Sequence, residues 1–138
     1  MKVLLDTDVI IDFFLNRQPF AREALILWQA NRSGQFEGYI SAITPVNLYY
    51  IGRKTLGAIQ ARQAIEDLLT EFRVCPINHN ILEAAHLSAI ADFEDAVQHV
   101  SAVIGGLNAI VTRNLKDYIN ATLPLFSPSD YAAQLSVK

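Results

Sequence analysis

The feature that most constrains this chain is the alternation of short, uninterrupted apolar runs with longer stretches of helical periodicity. The runs at Lys2 to Asp6, Gly38 to Ala42, Phe72 to Ile77, Asn108 to Thr112 and Pro124 to Phe126 read as strands, and helical patterns fill the gaps. Strands separated by helices are joined as parallel neighbours through crossovers, so the expectation is an α/β fold around a parallel sheet.

The helical segments carry their own punctuation. Phe20 to Ser33 puts Ala21, Ala24, Leu25, Leu27 and Trp28 on an apolar face, and Gly34 ends it. Ala58 to Glu71 turns Ile59, Ala64, Ile65, Leu68 and Leu69 inward. Ile81 to Ile90 and Phe93 to Ile104 form two further helices, the second ended by Gly105 and Gly106. Thr44-Pro45 and Ser127-Pro128 place a capping hydroxyl before a proline at the first helical position. Asp92 and Asn114 can cap in the same way, with Asp95 and Asp117 three residues later, and Asp8 reads as the cap of a short helix from Val9 to Leu15.

A length of 138 residues with 51% hydrophobic content suits one domain, 1–138, with a sizeable core. No segment reads as a signal peptide or membrane span, and the lone Cys75 excludes an internal disulfide, so a cytoplasmic location is expected. The net charge of -3 argues against nucleic-acid binding by bulk electrostatics. It leaves room for an enzyme that meets phosphates through a bound cation.

Ligands of an open parallel sheet bind beyond the carboxyl ends of its strands. Asp6 reaches that edge at the end of the first strand. Asn47 lies in the first turn of the helix after the second, and Asp117 lies just past the fourth. Asp95 joins them because its helix returns to the fourth strand through only Gly105, Gly106 and Leu107, and must run antiparallel to it. Oxygen ligands of this kind favour Mg²⁺ or Mn²⁺ over zinc, and such an ion suits hydrolysis of a phosphate ester.

The stretches Val3-Leu4-Leu5-Asp6-Thr7-Asp8-Val9-Ile10-Ile11-Asp12, Tyr39-Ile40-Ser41-Ala42-Ile43-Thr44, Asp92-Phe93-Glu94-Asp95-Ala96 and Ile110-Val111-Thr112-Arg113-Asn114-Leu115-Lys116-Asp117-Tyr118 resemble, in order and spacing, a PIN domain. The resemblance implies a three-layer α/β/α sandwich with strand order 3-2-1-4-5, a divalent-metal site and single-stranded RNA as substrate. It also implies a homodimer and, as in many PIN domains, the toxin of a toxin and antitoxin pair. By position, Asp6, Asp95 and Asp117 fall on the catalytic and metal-binding acids of that family. The remaining ligand position, usually Glu, is Asn47, which removes one negative charge and weakens the expected metal affinity.

Thr112, Arg113 and Asn114 are the candidate substrate contacts, with capping and ordinary surface charge as the bland alternatives. Asp92 and Glu94 read as a cap and a first-turn charge, and Arg53, Lys54 and Lys116 as surface charge. Tyr49 and Tyr50 read as packing beneath the sheet edge. His79, His86 and His99 share no metal-ligand spacing, and His99 reads as structural. Two other functions compete. Asp6-Thr7-Asp8 also resembles the nucleophile and acid pair of haloacid dehalogenase-type phosphatases, without that family's lysine motif or late acidic pair. The amide at Asn47 fits a non-catalytic module that binds RNA or protein.

Overall fold

The structure, a computed structural model, describes residues 1–136, so the last two positions of the expected domain lie outside the described residues. Five strands, β1 (Lys2–Leu5), β2 (Glu37–Ser41), β3 (Arg73–Cys75), β4 (Ala109–Val111) and β5 (Leu125–Phe126), form one sheet in the order β3-β2-β1-β4-β5. Every pairing is parallel, with Val3 opposite Gly38, Leu5 opposite Val111 and Ser41 opposite Cys75. Four strands are a residue or more shorter than their apolar runs, because the flanking residues turn into the crossovers, while β2 keeps five residues but begins one earlier, at Glu37.

The helices are α1 (Thr7–Phe14), α2 (Ala21–Arg32), α3 (Ile43–Leu56), α4 (Ala58–Glu71), α5 (His79–His86), α6 (Phe93–Ile104) and α7 (Pro128–Ser136). Strand side chains alternate between the two faces of the sheet. Val3, Leu5, Ala109 and Val111 join the core beneath α1, α2, α3, α4 and α7, while Leu4 and Ile110 join a second core with α5 and α6. This gives the three layers α/β/α. Each fully buried Val, Leu or Ile contributes about 1.5–3 kcal/mol, so β1 alone anchors a large share of the hydrophobic stabilisation.

The open end of β2 is held by one side chain. Asn31 accepts from the Gly38 amide at 2.7 Å and donates to the Glu71 carbonyl at 2.7 Å, tying the ends of α2 and α4 to the sheet. A Cβ on Gly38 would lie 2.5 Å from the Phe72 ring and 2.9 Å from Asn31, so only glycine lets these groups close over the strand.

Some local expectations are corrected. Leu25, Ile59 and Leu69 are exposed, and Ala61 takes an inward position on α4 instead. The helix after β2 begins at Ile43, so Thr44 lies within it and caps nothing; Asn47 therefore falls in its second turn. Thr7 already opens α1, with Asp6 at its cap position and Asp8 in its first turn. The fifth helix begins two residues early because Asn78 caps it, accepting from the Ile81 amide at 2.9 Å, and it ends at His86. Asp92 and Ser127 do cap, accepting from the amides of Asp95 at 3.0 Å and Asp130 at 3.1 Å. Asn114 heads the 3₁₀ turn Leu115–Tyr118 without a side-chain cap. Tyr50 lies exposed beneath the Arg53 guanidinium, 5.1 Å from its ring centre, and is not packed under the sheet.

Candidate active site

From β1 the chain builds outward to β2 and β3, then returns to β4 on the other side, so the crossover direction reverses between β1 and β4. The crevice at their carboxyl ends is where such a sheet offers a ligand site. Asp6 and Thr112 face each other across it.

Asp6 occupies the cap position of α1, yet its carboxylate makes no capping bond. Its carbonyl accepts from the amides of Val9 and Ile10, which leaves the side chain for other partners. Oδ2 accepts from the Thr112 hydroxyl at 2.6 Å, and Oδ1 accepts from the Gln98 amide at 2.9 Å. The group is buried, and burial pushes its pKa up against the lowering effect of these two bonds; the charge of Asp8 pushes it further up.

Gln98, also buried, extends this network. Its Nε2 reaches the Tyr118 hydroxyl at 3.1 Å, and its Oε1 accepts from the Thr7 amide at 3.2 Å and the Thr7 hydroxyl at 3.3 Å. Thr7 meets the Thr44 hydroxyl at 2.9 Å, which draws α3 to the site. Asn47 lies three residues beyond Thr44, on the same helical face.

Asp95, in the first turn of α6, is half-buried and lies beside the Tyr118 hydroxyl. Burial first, and then the charges of Asp6 and Asp92, push its pKa up to about 7; Asp117 acts in the same direction. Asp117 itself lies exposed on the rim. Glu94, read from sequence as a first-turn charge, belongs to the same field. Its pKa is raised by burial and then by Asp6, Asp92 and Asp8. The signal lay in the sequence, since Glu94 precedes Asp95 in a turn that faces the sheet edge. Gln98, one turn beyond Asp95, could have been found by the same spacing.

The three expected substrate contacts divide. Thr112 holds Asp6. Asn114 donates to Asp8 at 3.0 Å, and Arg113 donates to buried Asp12 through Nε at 2.7 Å, with its guanidinium stacked 4.0 Å above the Phe20 ring. A cavity of about 410 Å³ opens beside Arg113, Phe20 and Ser127, but the carboxylates of the sheet edge do not line it. His99 is structural: Nε2 accepts from the Thr122 amide at 3.0 Å, and burial lowers its pKa.

Among the described residues, no three His, Cys, Asp or Glu side chains are placed closely enough to surround an ion. The donor chemistry still fits a hard cation. The acids are oxygen donors, and the charge of Asp6 adds to burial in raising the pKa of Asp95 and Glu94, a condition a cation relieves; Mg²⁺ is commonly held by only one or two carboxylates with water completing its shell.

The chain is thus an α/β/α sandwich of strand order 3-2-1-4-5 with Asp6 and Asp95 near its switch point. The PIN domain family pattern matches residues 2–116, and the chain belongs to the PIN domain family. PIN nucleases generally use divalent metal ions. Comparison with curated protein sequences gave no match. Among solved structures, the chain is similar to a toxin-antitoxin complex from Klebsiella pneumoniae, with 27% identity, a TM-score of 0.66, and coverage of 91% of this chain and 97% of that one. A DNA-bound VapBC from Salmonella typhimurium shares its fold at 20% identity and a TM-score of 0.68, covering 93% and 98% of the two chains. So does VapC20 of Mycobacterium tuberculosis, described as a Sarcin-Ricin loop cleaving toxin, at 16% identity and a TM-score of 0.65, covering 78% and 86%. Among the described residues, no helix is long and apolar enough to cross a membrane.

Proposed function

We propose that this chain is a Mg²⁺- or Mn²⁺-dependent endoribonuclease that hydrolyses phosphodiesters in single-stranded RNA, and that it is the toxin of a toxin and antitoxin pair. The observation that carries the reading is the placing of Asp95 within the field of Asp6 at the switch point of the sheet: burial, and then the charge of Asp6, push the Asp95 pKa up. Asp6 and Asp95 would hold the ion, with Asp117 and Asn47 as the further ligands. The ion supplies Lewis acidity and charge neutralisation at the scissile phosphate.

The chain's own residues do the rest. Thr112 and Gln98 fix both oxygens of Asp6, so that its carboxylate is presented in one orientation. Asp95 would be the second carboxylate of the ion, its charge stabilised there against the burial and the Asp6 charge that raise its pKa. The family assignment sets aside the phosphatase alternative.

The toxin role is supported by the likeness to the toxin-antitoxin complex from Klebsiella pneumoniae and to VapBC assemblies. A homodimer is supported by the resemblance and by exposed apolar side chains such as Ile59, Leu87 and Ile119. The test is incubation of end-labelled single-stranded RNA with Mn²⁺ or with chelator. Cleavage with Mn²⁺, lost in chelator and in Asp6→Asn, is the expected result. Binding of RNA without cleavage under any divalent ion would favour the non-catalytic module that Asn47 suggests.

A further inference from the structure

Gln98 uses every hydrogen-bonding position of its amide. The nitrogen has two protons and the oxygen two lone pairs. The nitrogen serves Asp6 at 2.9 Å and Tyr118 at 3.1 Å, and the oxygen serves Thr7 twice. The reverse orientation would set the amide oxygen against the Asp6 carboxylate and the nitrogen against the Thr7 amide proton, so only one orientation satisfies the site. The side chain is fully buried on α6, and Tyr118 is fully buried as well. The Tyr118 hydroxyl lies beside Asp95, three residues before Gln98 on the same helix. One amide thus holds Asp6 directly and also holds the phenol that lies beside Asp95.

We propose that Gln98 is a positioning residue that clamps Asp6 and Asp95 in a fixed relation at the crevice between β1 and β4. A saturated buried amide cannot rotate without leaving a donor or acceptor unpaired, which makes it stiffer than a lone contact. Hydrogen-bond partners behind metal-binding carboxylates typically change metal affinity or activity by about 10–100-fold when removed. The purpose of the clamp rests on the metal-dependent reading above; its geometry does not.

Two measurements on the full chain test the proposal separately from that reading. In crystals of Gln98→Met, the Asp6 carboxylate should be rotated or split between two orientations. A carboxylate unmoved from its wild-type position overturns the clamp, whatever the metal does. In calorimetry with Mn²⁺, Gln98→Met should bind about 10–100-fold more weakly, and Tyr118→Phe should show a smaller loss. Turnover of RNA should fall while KM stays near the wild-type value. Unchanged Mn²⁺ affinity in a folded Gln98→Met also overturns the proposal. If the wild type takes up no Mn²⁺, the proposed function fails and the crystals still decide the clamp. Should Gln98→Met not fold, the isosteric Gln98→Glu keeps the contacts to Thr7 but loses donation to Asp6, and the same two outcomes apply.

Discussion

The guanidinium of Arg113 donates to the carboxylate of Asp12 through Nε at 2.7 Å and Nη2 at 3.3 Å, joining the end of β4 to α1 across 101 positions of sequence. Asp12 is 1% exposed and Arg113 21% exposed, so this ion pair is largely withdrawn from water. Its location beside the site braces the loop that carries Thr112 and Asn114.

Removing Arg113 leaves the buried carboxylate with only the looser ion pair to Arg17, whose Nη1 lies 3.8 Å from Oδ1. Arg113→Met, which keeps an apolar stem over Phe20, should cost about 2 kcal/mol, below the usual range for buried pairs because Arg113 is partly solvated. Denaturant unfolding gives the number. Asp12→Asn added to Arg113→Met should recover part of the loss, since the buried charge is gone. An unchanged midpoint for Arg113→Met would mean that Asp12 is buried as the neutral acid.

Asn47 lies three residues past Thr44 on α3, and the Thr44 hydroxyl touches Thr7 beside the acids. Asn47→Glu should tighten Mn²⁺ by about fivefold, the effect of roughly 1 kcal/mol of added charge attraction in a partly solvated site. Calorimetry reads it directly. Equal affinity would place Asn47 outside the reach of the ion.

Glu94 contributes to the acidic field without having been singled out by its spacing. Glu94→Gln should weaken Mn²⁺ several-fold, on the order of 1 kcal/mol of lost attraction. Its stability in chelator should stay near the wild type, because relief of repulsion offsets the lost attraction of a carboxylate to the helix N-terminus, about 0.3–1 kcal/mol. A large destabilisation with unchanged ion binding would make it a helix-terminal charge and nothing more.

These residues show what the sequence displays and what it hides. Period and order were legible: the apolar run before Asp6 places its carboxylate at the sheet edge, and the short Gly105-Gly106-Leu107 return forces Asp95 to the same side. Side-chain pairing across long separations was not. Arg113 reads as a surface charge until Asp12 is brought beneath it. Gln98 reads as one polar residue in an apolar helix, and its four contacts exist only once β1, α6 and the 3₁₀ turn have packed. Thr44 looked like a cap because a proline follows it, but the helix begins two residues before that proline, at Ile43, and the Thr44 hydroxyl goes to Thr7. The exposure of Ile59 and Leu69 has the same cause, since helical period alone leaves the width of the buried stripe open and Ala61 allows α4 to approach closely.

Asp95 joins the site to the stability of the fold. Its folded pKa of about 7 stands above the unfolded reference of about 3.9. Between these values the folded state binds more protons than the unfolded state, so stability must fall as pH rises from about 4 to 7, and the penalty is complete above 7. Asp95→Asn removes that slope. Near neutral pH and in chelator the variant should be more stable than the wild type, by on the order of 1 kcal/mol once screening of a half-buried group is allowed for. No cap is lost, because the acceptor for the Asp95 amide is Asp92, and an amide can keep its place beside Tyr118. Near pH 4 the two proteins should melt together. Saturating Mn²⁺ should reverse the order at neutral pH, because the wild type gains binding free energy that the variant has lost. Thermal melts across pH, with and without Mn²⁺, read all three effects. A variant that is less stable in chelator and still cleaves RNA would reduce Asp95 to a structural partner of Tyr118 and remove it from the chemistry.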